Sequence, residues 1–559
     1  MPRPDVRPDS LTSWHHDWSG LRTAVLGLGM TGFSVADTLV ELGASVLVIA
    51  ESASPERTQL LEVIGGTLLL DPDGSLGLER LEAFVPELVV VSPGYHPDHP
   101  LLVWAAQAGV PIWGDIELAW RLRDKVGAPA EWISVTGTNG KTTTTGLTAA
   151  MLRAEGLRVA ACGNIGVPVL DAIRDPEGFD ALVVELSSYQ LHWMRGVSPL
   201  ASVCLNIADD HLDWHGSAEA YRLAKGKVYE NTRIACVYNR ADEATMHLVE
   251  DAEVIDGARA VGFGLDVPGP SDFGVVDGIL VDRAFLAERR DSALEIATVG
   301  ELRERGLAAP HVVANILAAS ALARAAGVSI ASIRAALREY RLDPHRIEVV
   351  ADRDGVLWID DSKATNPHAA DASLGAFGSI VWVVGGLLKG VPIADLVERR
   401  ASKLRAAIVI GADRQEVVSA FGRHAPELPL FEVVPSETEE VMQAAVRMAA
   451  EAARPGDVVL LAPAAASMDQ FTDYADRGRA FAAAVSALLS ETPEGGPDDR
   501  SDTGAPSDRD EAGGSRDPEA GIEEGAGGPE DGGSPEDSDA SADASGAANP
   551  DDPSRPADS

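Results

Sequence analysis

The chain has 559 residues, 45% hydrophobic and 24% charged, which suits a globular protein too long for one core and sized for about three domains. Its formal net charge of −41 argues against a nucleic-acid partner, and the charge is uneven, since residues 491–559 hold 21 acidic side chains against 4 arginines. Three cysteines without close spacing, Cys162, Cys204 and Cys236, imply neither a disulfide framework nor a zinc site, so a reducing compartment is expected.

The N-terminal MPRPDVRPDSLTSWHHDW has arginines but no apolar run behind them, so no signal peptide is expected. Apolar stretches such as Ser379–Leu388 are much shorter than the roughly 18 to 20 residues of a membrane helix. A cytoplasmic protein without membrane insertion is the expectation. From Arg22 the strand TAVLGL, the loop GMTG, the helical SVADTLVELG and the strand SVLVIA set the βαβ rhythm of a parallel sheet. The rhythm continues through PELVVVSPG to DKVGAPA, where Gly127 and Pro129 mark a linker. A second unit opens with EWISVT, adds the helical TTTGLTAAMLRAEG and the strands ALVVEL and ASVCLNI, and closes on the helical VANILAASALARAAG. After Pro344 the strands VLWID, SIVWVVGG, AAIVIGA and DVVLLAP alternate with helical stretches such as TEEVMQAAVRMAAEAA.

These patterns predict an α/β protein of three domains, with boundaries at 1–128, 129–343 and 344–490. The outer two read as Rossmann-like and the central one as a P-loop-type ATPase sheet. Residues 491–559 contain no aromatic, Leu or Val and are rich in Gly, Ser, Pro and acids, the composition of a disordered acidic tail.

The stretch ISVTGTNGKTTTT carries the clearest chemistry. The strict Walker pattern G-x-x-x-x-G-K-[ST] fails, because Val135 stands where its first glycine belongs. A shortened form remains, Gly137-Thr138-Asn139-Gly140-Lys141-Thr142, with a strand before it and a helix after. Glycines let backbone N–H groups approach phosphate, the helix N-terminus adds its positive end, Lys141 suits the β and γ phosphates, and the Thr142 hydroxyl suits magnesium. The bland alternative is a Gly-rich turn capped by threonines. Ligands of such sheets gather beyond the carboxyl ends of strands, where Glu185 closes ALVVE and Asp209, Asp210 and His211 follow ASVCLNI. Singly these would be caps or solvated side chains; beside a GKT loop they read as magnesium ligands.

Near the N-terminus, Gly27-Leu-Gly29-Met30-Thr31-Gly32 is a dinucleotide fingerprint, and Glu51 lies 19 residues beyond Gly32, near where a ribose-binding acid belongs. Alone it would support an NAD-dependent dehydrogenase, but hydride transfer has no use for the ATP-like second unit.

The combination TGTNGKTTTT, CGNIG, ELSSYQL, IADDHLDWHGS and YRLAKGKVYENT resembles the central domain of the Mur ligases, the ATP-dependent amide-forming enzymes of peptidoglycan assembly. The ordered series WIDDSKATNPHA, VVGGLLKG and LLAPAAASMDQFTDYADRG narrows the resemblance to the D-glutamate-adding members, over about residues 20–487. It implies UDP-N-acetylmuramoyl-L-alanine, D-glutamate and ATP as substrates, an acyl-phosphate intermediate and two Mg2+ ions. By resemblance, Gly137, Thr138, Asn139, Gly140, Lys141, Thr142 and Thr143 hold the triphosphate, with Arg346 and Asp361 also on the nucleotide. Thr142 and Glu185 would hold one magnesium and His211 a second. Lys225, which by sequence alone is a solvated helix residue, matches a lysine that the family carries as a carbamate facing that metal. Lys141, His211 and Lys225 are thus the expected catalytic group.

The resemblance also puts Gly29, Met30, Thr31, Ser92 and Gly94 on the UDP group and Asn164 and Ser187 toward the muramoyl or metal region. Lys363, Thr365, Lys389, Ser467, Met468 and Tyr474 match the region that receives D-glutamate, where lysines and hydroxyls suit carboxylates. Two departures stand out. The family's His-Asn pair near adenine reads His311-Val312 here, with Asn315 three residues on, and its Asp-Thr-Arg-like step after the second strand reads Ala50-Glu51-Ser52. Related ligases that add L-alanine, a diamino acid or a peptide remain alternatives, as does a folylpolyglutamate synthase; the GLGMTG domain disfavours the folate enzyme, and DSKATNP and SMDQF favour D-glutamate. A regulator without catalysis would lack metal or acceptor residues, and both sets are present.

Overall fold

Aliphatic runs without polar alternation mark strands covered on both faces, and in a computed structural model of the chain they assemble, among the described residues, into three sheets. Residues 8–434 and 438–491 are described; the expected tail lies outside the described residues apart from Glu491, which ends a helix.

The first sheet contains β1 (Arg22–Leu26), β2 (Ser45–Ala50), β3 (Thr67–Leu70), β4 (Leu88–Val91) and β5 (Ile112–Gly114), all parallel, in the order β3-β2-β1-β4-β5. Its order reverses at β1 and β4, so the loops GLGMTG and SPG open onto one crevice. Glycine is required there by close approach: a Cβ on Gly32 would lie 2.1 Å from the Gly27 carbonyl oxygen, and Gly27 has φ +95 with Ser92 Oγ 2.8 Å from its missing Cβ. The following helix, Met30–Glu41, begins four residues before the apolar pattern does, because the extended Gly29 is its N-cap.

The second sheet has nine strands, β6 (Glu131–Thr136), β7 (Val159–Gly163), β8 (Ala181–Glu185), β9 (Ala201–Cys204), β10 (Ala235–Asn239), β11 (Arg259–Phe263), β12 (Asp272–Val276), β13 (Ile279–Asp282) and β14 (Leu294–Thr298). Their order is β14-β13-β12-β11-β10-β9-β6-β8-β7, parallel from β7 to β12 and antiparallel beyond. β6 lies between β8 and β9, so the loops leaving these three strands face one another.

The third sheet contains β15 (Glu348–Arg353), β16 (Val356–Asp360), β17 (Ile380–Gly385), β18 (Leu404–Ile410), β19 (Leu430–Glu432) and β20 (Val458–Leu461), in the order β15-β16-β20-β17-β18-β19. Only β15 is antiparallel to its neighbour. The loops DDSK after β16, GGLLKG after β17 and APAAASM after β20 therefore leave adjacent strand ends. Both faces of this sheet are covered: Ile359, Trp382 and Val409 pack in one apolar cluster and Trp358, Val383 and Ile408 in another. A further cluster runs from Val25 and Trp113 of the first sheet, with Leu39 of the helix Met30–Glu41, into Trp132 and Val184 of the second sheet and the nearby Tyr229, so these two sheets share a core. Each such fully buried large side chain contributes about 1.5–3 kcal/mol.

Candidate active site

Beyond Thr136 the chain turns through Gly137, at φ +146, and Gly140, at φ +84, and enters the helix Lys141–Ala154. Gly140 is the N-cap and no side chain caps this helix, which leaves its first amides available to an anion. The loop is braced from the segment after β9. Thr138 N and Asn139 N donate to the backbone oxygen and Oδ1 of Asn206 at 2.9 and 2.8 Å, and Thr138 Oγ1 lies 3.0 Å from the Tyr221 hydroxyl. Lys141 Nζ donates to the carbonyls of Gly137 and Thr138, both at 2.9 Å. Burial lowers its pKa, opposed by the charges of Glu185 and Asp210.

Glu185 closes β8 and is only 2% exposed. Its Oε1 accepts from Asn164 Nδ2 at 2.9 Å, while the buried Oε2 has no partner. A buried carboxylate oxygen left unpaired is costly, and lining one cavity with Thr142 and Lys141 it fits a divalent cation. His211 follows β9 at φ +53, with Nδ1 2.6 Å from the Tyr189 hydroxyl and Nε2 3.7 Å from Asp210 Oδ2. Burial pushes its pKa down to about 4 despite Asp210, so the ring is neutral at pH 7 and has the chemistry of a metal ligand oriented through its other nitrogen. Among the described residues, three ligand-type side chains come within 4.8 Å of one another only at His345, Glu348 and Asp360, where His345 Nδ1 and Asp360 Oδ2 are already 2.6 Å apart.

Lys225 is not the solvated residue its helix position suggests. It is 2% exposed, on the inward face of Ala218–Gly226 with Tyr221 one turn earlier, and it donates to Thr136 Oγ1 at 3.1 Å and the Gly137 carbonyl at 3.0 Å. Burial, then the charge of Lys141, pushes its pKa down to about 7.

A cavity of about 1150 Å³ lies between the second and third sheets. From the second sheet it is lined by Thr138, Asn139, Gly140, Lys141, Thr142, Thr143, Asn164, Glu185 and His211; from the third by Arg346, Asp361, Lys363, Thr365, Lys389, Ser467, Met468 and Tyr474. Lys389 Nζ is 2.5 Å from Asp210 Oδ1, and Lys363 Nζ lies 3.7 Å over the Tyr474 ring, its pKa lowered by burial to about 8. Asp361 accepts from Ser373 Oγ and from Ile347 N, and burial raises its pKa to about 7. His311, Val312 and Asn315 line the same cavity, and Asn315 Oδ1 is 2.5 Å from where a Gly140 Cβ would stand.

Gly137, Ser187 and Lys225 are not among the lining residues; Ser187 caps the helix Ser188–Trp193 in a reciprocal box with Gln190. Gly29, Met30, Thr31, Ser92 and Gly94 lie apart at the first sheet's crevice, where Ser92 Oγ is buried without a partner. Sequence reasoning missed the bracing by Asn206, the pairing of Asp210 with Lys389 and the part played by Asn366. Asn366-Pro367 signals a helix start, but nothing local signals the contacts its side chain makes across the cavity.

Residues 21–114 match the Mur ligase MurD-like N-terminal domain, 135–323 the Mur ligase middle domain and 345–465 the Mur ligase glutamate ligase domain. The chain is 67% identical over 512 residues to a UDP-N-acetylmuramoylalanine–D-glutamate ligase of Leifsonia xyli subsp. xyli, covering 90% of this chain and 98% of the relative. A protein of the same name from Streptomyces avermitilis is 53% identical over 476 residues, 84% of this chain and 99% of the relative. Among solved structures, UDP-N-acetylmuramate-alanine ligase from Thermotoga maritima shares 21% identity at a TM-score of 0.50 over 84% of this chain and 100% of that one, a likeness of fold. With three consecutive domain matches and such identity over nearly the whole of a relative, the chain belongs to the Mur ligase family.

Proposed function

We propose that this chain joins D-glutamate to UDP-N-acetylmuramoyl-L-alanine with ATP, through an acyl phosphate, in the synthesis of the peptidoglycan precursor. The observation that carries this reading is the convergence, in one cavity, of the Lys141 loop with Lys363 and Lys389 from another sheet. The names of the two relatives above support the choice of substrates. A carboxylate is a poor electrophile, because its oxygen leaves badly; moving the γ-phosphoryl onto it supplies a leaving group. The neutral amine of D-glutamate then attacks, a tetrahedral intermediate forms and phosphate departs. Negative charge concentrates in both steps, and positioned cations stabilise it.

In this reading Gly137 to Thr143 cradle the triphosphate, and Lys141 exchanges two backbone carbonyls for phosphate oxygens. Arg346 and Asp361 orient the nucleotide. Thr142 and Glu185 would hold one Mg2+, and His211 with Lys225, as a carbamate, a second. Bound there, Mg2+ supplies positive charge beside the phosphoryl oxygens. Lys363, Thr365, Lys389, Ser467, Met468 and Tyr474 receive D-glutamate. Asn164 and Ser187 face the muramoyl group or the metal region, while Gly29, Met30, Thr31, Ser92 and Gly94 take the UDP end. Residues 1–128, 129–343 and 344–490 serve as the UDP-substrate, ATP and acceptor domains. Work in the cytoplasm is part of the same proposal; among the described residues no helix is long and apolar enough to cross a membrane.

The test is ATP-dependent phosphate release with UDP-N-acetylmuramoyl-L-alanine and a panel of L and D amino acids. Release with D-glutamate alone is expected; release with another amino acid and not with D-glutamate would overturn the assignment.

A further inference from the structure

We propose that Asn366 is a positioning residue that couples the phosphate loop to Lys389, so that nucleotide and D-glutamate bind cooperatively. The proposal rests on the nucleotide and acceptor sites assigned above. Asn366 is 3% exposed and is the N-cap of the helix Pro367–Gly375. A side-chain amide has two acceptor lone pairs and two N–H donors, and here all four are engaged. Oδ1 accepts from Ala369 N at 2.9 Å and from Asn139 Nδ2 at 3.3 Å; Nδ2 donates to Asn139 Oδ1 at 3.0 Å and Asp210 Oδ2 at 3.4 Å. The Ala369 N–H, which can only donate, fixes the end that is oxygen.

Capping alone would use one of those four bonds. The other three cross the cavity, and each lands on a residue tied to a ligand site. Asn139 lies between Gly137 and Gly140 in the phosphate loop, with its own N–H on Asn206. The other oxygen of Asp210, Oδ1, accepts from Lys389 Nζ at 2.5 Å and from His211 N at 3.0 Å. A continuous path thus runs from the loop through Asn139, Asn366 and Asp210 to the lysine. A loop ordered by phosphate holds the Asn139 amide, which holds Asn366 and Asp210 and so sets the place of Lys389 before the amino acid arrives. Linkage makes the effect reciprocal: D-glutamate must strengthen nucleotide binding by the same factor. Simple packing of two domains would satisfy the same polar groups but would transmit nothing.

The test measures D-glutamate affinity of the full chain with UDP-N-acetylmuramoyl-L-alanine, in the presence and absence of a non-hydrolysable ATP analogue. Wild type should show at least about a fivefold gain from the nucleotide, the lower end of usual couplings. Asn366→Asp keeps an acceptor for Ala369 N, and hence the cap, but has no N–H to donate. It should bring the factor to about one, raise the KM for D-glutamate and change nucleotide affinity without D-glutamate much less. Asn139→Ala should lose the same factor, and combining it with Asn366→Ala should add little further loss, as expected for residues acting in one path. Should Asn366→Ala fail to fold, the capped Asn366→Asp decides alone. Wild-type coupling retained in Asn366→Asp at an unchanged melting temperature overturns the proposal, as does a wild type that shows no coupling. An absence of phosphate release by wild type overturns instead the functional reading beneath it.

Discussion

Lys141 and Lys225 place their ammonium nitrogens on the same carbonyl oxygen, that of Gly137, at 2.9 and 3.0 Å. Two cations on one acceptor in a buried site repel one another, and one of them must give way. Lys225 does: burial, and then the charge of Lys141, bring its pKa to about 7, so near neutrality much of it is free amine. Free amine is the form that adds CO2 to give a carbamate, and that product would turn a repelled cation into an attracted anion.

Lys225→Ala should therefore be strongly impaired, and formate or acetate, entering the vacated space, should restore part of the rate. A dose series of small carboxylates and small amines on the folded variant decides the matter. Near-normal activity, or rescue by amines alone, refutes the carbamate.

Lys141→Ala should fold and lose about a hundredfold or more in kcat, since a cation on a transferring phosphoryl group is worth about 3 kcal/mol. Formate should not help, because the missing group is a cation. Steady-state rates beside far-UV circular dichroism check this, and a folded variant of near-normal rate removes Lys141 from the reaction.

Glu185→Gln separates function from stability. The unpartnered Oε2 of Glu185 is a buried acceptor kept at a cost to the fold. Glutamine keeps the acceptor for Asn164 and removes the charge, so the Mg2+ needed for half-maximal rate should rise about tenfold or more while the melting temperature does not fall. A variant with lower stability and an unchanged Mg2+ response would make Glu185 a structural residue.

The strand–turn–helix around Gly137 and Gly140 was legible because its determinants are local: a strand of aliphatic residues, two glycines at positive φ and a helix within a few positions. The strand-end residues Glu185 and His211 followed from the same grammar. β15 was not legible, since EVVADR is half polar and lies at a sheet edge, and the antiparallel β12–β14 extension has no βαβ rhythm to announce it. Pairings that cross the cavity leave no trace in spacing; Asp210 and Lys389 are 179 residues apart, and Asn139 and Asn366 are 227 apart. Helical periodicity gave Lys225 a face but not its direction, because a lysine on an inward face contradicts the polarity on which such readings rest.

Residues 494–559 should be dispensable for chemistry, since their composition cannot support a core and the family matches end at 465. A cut after Pro493 leaves the helix Tyr474–Glu491 whole, including the turn whose Leu489 carbonyl accepts from Arg353 Nη1. Truncation there should keep kcat and the three KM values within about twofold. A large fall in kcat for the soluble truncation would mean that the tail reaches the site.

Asp115 gives a stability signature in pH. Its Oδ2 accepts from Gln190 Nε2 at 2.9 Å, Oδ1 is buried without a partner, and burial raises its pKa from 3.8 to about 6. Between those values the folded chain holds a proton that the unfolded chain has released, so stability falls as pH rises toward and through 6 and levels off above about 7. From pH 5 to 7.5 this one group should cost wild type about 1 kcal/mol relative to Asp115→Asn, which keeps an acceptor for Gln190 and cannot ionise. Urea unfolding of both proteins across that range measures the difference. It should widen with pH; a constant gap, or one that narrows, would mean that Asp115 ionises in the fold as readily as in water.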